Sequence, residues 1–481
     1  MQTDSPPPMT ASASASDQPP DRGKLSVGAL GRAVLAILPA FWVTFGLLSI
    51  LAQLIPSAAI RDAVLTAFAR GDLTHDDAPW LDAERGTNQY DDCLVFSMPL
   101  LRTGNIVEDA VSPRIIHAWW TDDGRWLSEC QTLHEIAAGT LPEEIAADAA
   151  PFHRYLHGSM VVASLMLPVF GVSTMRVVLK AACYALLGFI MLRSLLDGIA
   201  ALRRQRDWRQ RTRLTNVGIG AVATVLALLY GLPYFGQSVA HGPSEIVLFG
   251  FLIFCTYVNL ATAPPFLFFA AILLFACLTS AFGFIFHPLP MGLAVLVGIL
   301  SLQSQQGTRP LDFARRLVAG GAVYTGGVAG CLLLKQVLAG IVFETPVWAP
   351  FFDQVFYRMS GETGYERDNL SQLATNLYVC LPNLGIGSPA VATAIVGLSM
   401  GILIAALAAI AVTRGPWAPT LQIGGLALSA LVILGWFVMF RNHTIIHACW
   451  QVRLLAWPIA TGPLAALLLY AAFRFEKPGS A

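Results

Sequence analysis

Ten stretches of this chain stay apolar for close to the length that a helix needs to cross a bilayer, about 20 residues for ~30 Å of hydrocarbon. They fall at 33–55, 175–199, 215–234, 244–261, 264–282, 288–304, 317–341, 387–412, 419–440 and 450–472. In hydrocarbon every backbone amide must find its partner within its own segment, so runs of this length become helices. The predicted fold class is therefore an all-α integral membrane protein with about 10 transmembrane helices and a large extracytoplasmic loop between helices 1 and 2. Composition agrees: 12% of the 481 residues are charged, about half the roughly 25% of a soluble chain. An ordinary soluble enzyme is excluded. So is nucleic-acid binding, because 30 Lys+Arg against 30 Asp+Glu leave a formal charge of zero and no basic surface to release counterions. Eight cysteines without a CxxC pair make neither a disulfide scaffold nor a zinc ribbon.

The expected organisation follows from these runs. Residues 1–30, rich in Ser, Pro and Ala, read as a disordered cytoplasmic tail, and 31–55 as a first helix that anchors the chain and is not cleaved. Residues 56–174 form an extracytoplasmic loop with interfacial helices, 175–475 a bundle of about nine helices, and 476–481 a cytoplasmic tail. The cations fix the orientation, since Lys and Arg stay on the cytoplasmic side. With the N-terminus inside, Arg22, Lys24 and Arg32, six arginines between 203 and 213, Arg309, Arg315, Arg316, Arg414, Arg474 and Lys477 are all cytoplasmic. The same topology puts all nine histidines at or beyond the outer boundary, and 17 of the 30 acidic residues between Arg61 and His157. Chemistry is expected on the outer face.

A connection of about a hundred residues is far longer than a helix joint requires, so the first loop is a small domain or an active-site element. Asp91-Asp92 in Tyr90-Asp91-Asp92-Cys93 stands out. Adjacent side chains diverge on a helix, so one carboxylate at most faces a substrate; a base or cation ligand competes with a helix cap. The run from Ile115 to Trp120 and Gly124-Arg125-Trp126 gather indoles and cations that suit sugar and phosphate, or a membrane interface. Cys93 and Cys130 share the oxidising side and can be bridged. Arg154-Tyr155-Leu156-His157-Gly158 leads into an apolar stretch, 160–170, half a span long and expected to lie in or dip into the interface.

Polar residues recur at the outer ends of the spans. Glu245 falls in the first turn of the fourth, as a dipole-stabilised cap or a carboxylate at the bundle mouth. Lys335 is the clearest intramembrane cation, expected to snorkel, to pair with an acid or to hold a lipid phosphate. His443 and His447 are four apart and share a helical face, with Arg453 near the same stripe. That suits two imidazole donors to phosphate or, less well, a divalent metal, because Thr444 stands where a zincin has Glu.

Together the first span, the long outer loop with Asp91-Asp92, its interfacial helix and the many spans that follow resemble the GT-C superfamily of membrane glycosyltransferases. The segments Arg154-Tyr155-Leu156-His157-Gly158 and Asn442-His443-Thr444-Ile445-Ile446-His447 are also similar to motifs of a group of bacterial polytopic membrane proteins of like layout. The resemblance implies transfer of a sugar from a polyprenyl-phosphate donor to an extracytoplasmic acceptor, with no firmly implied cofactor. It makes Asp91 or Asp92 the base, and Lys335, His443, His447, Arg453, Arg154, His157 and Glu245 the binders of lipid phosphate or substrate. A transporter or flippase of a lipid-linked sugar, and a non-catalytic component of surface-polysaccharide assembly, remain as alternatives. The first of these predicts repeated halves and midplane charges, neither of which is evident.

Overall fold

The computed structural model describes residues 25–75, 89–116, 119–120, 126–147, 149–203, 209–283, 288–304, 309–343, 347–360, 369–385, 387–413 and 417–475. His117 and His287, the acidic and basic residues of 121–125, and the tail beyond 475 lie outside them.

The architecture is that of a helical membrane protein. Among the described residues, seven helices are long and apolar enough to cross a membrane. The first, α1 (Val27–Leu54), begins a turn before its apolar run, where Ser26 caps it by accepting from the amide of Ala29. At its other end Arg102 donates to the carbonyls of Ala52, Gln53 and Ile55, the orphan acceptors of the last turn.

Beyond α1 comes a mostly helical unit: α2 (Ser57–Arg70), α3 (Gln89–Ser97), α4 (Ile106–Val111), α5 (Glu129–Ala138) and α6 (Glu143–Ala147). Two pairs of two-residue strands, Arg114–Ile115 with Ala150–Pro151 and Trp119–Trp120 with Trp126–Leu127, close its loops. A Cys93–Cys130 disulfide joins α3 to α5.

The segment 160–170 lies in the first part of α7 (Gly158–Arg203), which the non-helical Gly171 (φ 65°, ψ 177°) divides from the longer part that follows. Met160, Val161, Ala163 and Leu167 pack with Ile60 and Val64 of α2 and Phe96 of α3 in one core. Gly158 permits the approach, because a Cβ there would lie 2.7 Å from the carbonyl oxygen of Ala281.

The bundle continues through α8 (Arg209–Leu229), the short α9 (Leu232–Phe235), α10 (Gly242–Tyr257), α11 (Pro265–Phe282), α12 (Pro288–Leu302) and α13 (Pro310–Phe343). Three expected spans, 215–234, 244–261 and 288–304, fall on the short apolar helices of α8, α10 and α12. At 1.5 Å per residue the 15 residues of α12 reach about 22 Å. Almost every α12 side chain is buried, so its neighbours rather than lipid surround it.

Residues 342–386, to which the apolar pattern assigns no element, hold α14 (Trp348–Ser360) and α15 (Asn369–Cys380). The chain then returns through α16 (Pro389–Thr413) and α17 (Trp417–Met439) to a broken stretch: α18 (Arg441–Ile446), α19 (Ala448–Gln451), a 3-10 turn Val452–Leu455 and α20 (Ala456–Phe475). A second disulfide, Cys380–Cys449, pins α15 to α19.

Candidate functional site

The acidic pair in the first turn of α3 organises one end of the bundle. Neighbouring residues on a helix point about 100° apart, so the two carboxylates meet different elements. Asp92 turns inward and is fully buried. Its Oδ1 accepts from Ser238 Oγ at 2.7 Å and from the amides of Val239 and Ala240 at 2.8 and 3.4 Å. Its Oδ2 faces Arg176 of α7, with Nη2 at 3.2 Å and Nε at 3.4 Å. Burial raises its pKa above the ordinary carboxylate value, and Arg176 with the donors of the turn offsets part of that.

The turn that Asp92 holds carries His241, which donates from Nε2 to Asp91 Oδ2 at 2.7 Å. The indole of Trp450, on α19, donates to the same oxygen at 3.2 Å. Asp91 is thus a buried carboxylate gripped by an imidazole and an indole that enter from elements 150 and 359 residues away in sequence. Phe235 packs edge-on against His241.

Next to Trp450 lies the histidine pair. The four-residue spacing does bring His443 and His447 together, with ring centroids 4.6 Å apart, although α18 ends between them. Both face Arg358 of α14, whose Nη1 lies 3.2 Å from His443 Nδ1 and 3.1 Å from His447 Nε2. One guanidinium nitrogen therefore donates its two hydrogens to two imidazoles. Burial, with Arg358 alongside, keeps both rings neutral: it lowers His447 to about 4 and His443 well below its ordinary value. The Nε of Arg358 is buried without a hydrogen-bond partner; in a guanidinium, Nε and Nη2 form the pair of parallel donors that grips a phosphate or carboxylate.

The strap before α7 supplies further cations. Arg154 is half-buried, and its protonation is disfavoured by burial and by Arg358. Beside it, burial together with Arg154 and Lys335 lowers the pKa of His153. Lys335, buried in α13, donates to the carbonyl of Val111, and Gln336 next to it holds the carbonyl of His153 at 3.0 Å. No ion pair joins Arg154, Arg358 or Lys335 to a carboxylate among the described residues. His157 shapes the backbone of the strap instead. Its ring bonds the carbonyl of Phe152, its φ is +63°, and burial lowers its pKa to about 3.

Arg453 does not share the stripe of the histidines. The 3-10 turn rotates it into the bundle, where it pairs with Glu245 and lies between the rings of Tyr230 and Phe235, 3.9 Å from each centroid. Glu245 borders a void of about 10 Å3, room for one water. Phe235 thus touches both Arg453 and His241, its ring centre 3.9 Å from the guanidinium carbon and 5.0 Å from the imidazole centroid.

The sequence points to Asp91, Asp92, His443, His447, Lys335, Arg154, His157, Glu245 and Arg453. The fold brings Asp91 and the two histidines together, with Arg154 and Lys335 nearby, and sets Asp92, His157 and the Glu245–Arg453 pair into supporting contacts. His241, Trp450, Arg358 and Arg176 complete the arrangement. The only sequence signal for Arg358 is that it is the sole cation of the aromatic-rich helix α14. Among the described residues no group of three or more His, Cys, Asp or Glu gathers as metal ligands would. The histidine pair faces a guanidinium, itself a cation, where a metal would have to sit. Trp450 links the carboxylate and the guanidinium, donating to Asp91 and packing 5.8 Å from the ring of His447, which accepts from Arg358. Comparison with protein-family models, curated proteins and solved structures gives no match.

Proposed function

We propose that the protein is a membrane glycosyltransferase of GT-C type that moves a sugar from a polyprenyl-phosphate donor to an acceptor on the outer face, by inverting displacement. The observation that carries this reading is the buried, unpartnered Nε of Arg358, linked through His447 and Trp450 to the buried, doubly hydrogen-bonded Asp91. Asp91 takes the proton of the acceptor hydroxyl as that oxygen attacks the anomeric carbon. The bond from that carbon to the phosphate oxygen breaks, and the electron pair leaves with the lipid phosphate. Arg358 binds that phosphate, and Arg154 and Lys335 add positive charge where its negative charge develops. His241 and Trp450 orient the base, while His443 and His447 hold Arg358. Asp92 and the Glu245–Arg453 pair are positioning groups.

The outer placement is supported by the two disulfides, Cys93–Cys130 and Cys380–Cys449, which lie at the end carrying the site, whereas the free cysteines 183, 255, 277 and 331 are buried within helices. With this end outside, the N- and C-termini are cytoplasmic, about ten helices span, and the membrane is the bacterial inner membrane.

The test is incubation of the purified protein with a panel of polyprenyl-phosphate sugars, scoring transfer or slow hydrolysis of the donor. At least one donor is expected to release polyprenyl phosphate. A panel in which no donor is consumed and none binds overturns the reading.

A further inference from the structure

Away from Asp91 and Arg358, two further histidines meet on the unit formed by α2 to α6. The ring of His75 lies 4.4 Å, centre to centre, from the ring of His134 on α5, at an interplanar angle of 74°. Both pack against Phe68 of α2, at 5.1 and 5.0 Å. His75 is exposed and His134 half-buried, so solvent reaches the pair. The backbone that carries His75 is held from three elements. Its own carbonyl accepts from Ser128 Oγ at 2.7 Å, the residue that caps α5. Thr74 is clasped through its amide, carbonyl and hydroxyl by Gln89 of α3, and the carbonyl of Asp72 holds Arg176 of α7. The two imidazoles are thus set in place before any ligand arrives.

Their spacing selects a chemistry. A metal–nitrogen bond of about 2.0–2.1 Å puts an ion about 3.2 Å from the centre of an imidazole it binds, so two rings at right angles around one ion have centres about 4.5 Å apart, and at the tetrahedral angle about 5.2 Å. The observed 4.4 Å fits the right angle, which is the tetragonal preference of Cu(II) rather than the tetrahedron of Zn(II). His443 and His447 are similarly close, but Arg358 occupies their nitrogens. Neither ring of the outer pair is hydrogen-bonded among the described residues, and the charged neighbour of His134 is an acid, Glu135. The Cys93–Cys130 disulfide, one turn before His134 on α5, belongs to an oxidising compartment, where copper persists as Cu(II). We infer that His75 and His134 hold one Cu(II) ion, each giving a ring nitrogen to adjacent corners of a square that water completes. The ion clips the 71–75 loop to α5. The site uses neither Asp91 nor Arg358, so it stands apart from the transfer reaction.

The test is titration of the untagged, metal-free, full-length protein in detergent with CuCl2 and with ZnCl2, followed by calorimetry and, for copper, by pulsed EPR, which counts bound imidazoles. One Cu(II) per chain on two imidazoles is expected, bound more tightly than Zn(II), with a thermal midpoint that rises as copper saturates. Loss of a group behind a metal ligand typically costs about 10–100-fold in affinity, so loss of a ligand itself, in His75→Ala or His134→Ala, should cost at least about a hundredfold. His75 is exposed, and His75→Ala without metal should melt like the wild type. His447→Gln should bind copper as the wild type does. Copper bound as tightly by His75→Ala and His134→Ala as by the wild type, copper lost in His447→Gln instead, or Zn(II) bound more tightly than Cu(II) overturns the site.

Discussion

Asp91 and Asp92 are adjacent in sequence, yet their replacement should fail in opposite ways. In Asp92→Ala the carboxylate that joins α3, α7 and the turn before α10 disappears. Arg176 then keeps its bond to the carbonyl of Asp72, at 2.8 Å, but loses both bonds to Oδ2. Ser238 Oγ and the amides of Val239 and Ala240 lose their shared acceptor. The two side chains of the ion pair are 0% and 8% exposed, and breaking such a pair from one side costs about 3–5 kcal/mol. The retained Asp72 contact and the orphaned turn amides pull in opposite directions, so about 4 kcal/mol is expected. That is a large part of the roughly 5–15 kcal/mol that holds a typical domain together. Denaturant unfolding in mild detergent, followed by tryptophan fluorescence, measures it. Asp91→Asn keeps the shape of the side chain and should unfold close to wild type. An Asp92→Ala protein with the wild-type midpoint, or an Asp91→Asn protein as fragile as Asp92→Ala, would refute this division of labour.

Three further outcomes follow from the same contacts. Arg358→Lys retains a charge but not the fork that meets two imidazoles and an anion together, so donor affinity should fall by at least about tenfold with the unfolding midpoint little changed; equal affinity in a donor-binding titration contradicts it. His447 is held neutral, with a pKa of about 4 against an ordinary 6.5, so its contribution is complete above pH 6.5 and is lost as pH falls toward 4. That amounts to about 3 kcal/mol, visible as a falling thermal midpoint between pH 7 and pH 4.5 that His447→Gln makes shallower, His443 keeping its own share; a wild-type midpoint independent of pH refutes it. Cys449→Ser opens a loop of 69 residues, for which chain entropy gives about 4 kcal/mol. Its unfolding midpoint should fall below that of the oxidised wild type but stay above that of the reduced wild type, which loses both bridges, and a midpoint equal to that of the oxidised protein contradicts the bridge.

Hydropathy was enough to read the helical class, because a bilayer leaves an apolar run no other way to satisfy its backbone. It leaves the number of spans open at α10 and α12, which are as apolar as spans but short, since a helix buried among helices meets no fixed hydrocarbon thickness. For 160–170 it marks a half-span but not its surroundings, because an apolar half-span looks the same whether it faces lipid or α2 and α3. The histidine spacing was legible, being local. Arg453 was not, since a 3-10 turn, invisible in composition, redirects it toward Glu245. His241 and Trp450 join Asp91 from 150 and 359 residues away, and one sequence holds no mark of such pairings. Arg358 escaped notice for a related reason: α14 is too short and too mixed to register as a span, and its importance comes only from the two imidazoles across from it.

The most direct measurement of the central claim is single-turnover release of lipid phosphate from a polyprenyl-phosphate sugar by the wild type and by Asp91→Asn, at equal folded concentration. Loss of the general base should slow release by about 10² to about 10⁴ while the donor still binds. Release by Asp91→Asn at the wild-type rate would contradict the account, because no base at Asp91 would then be needed.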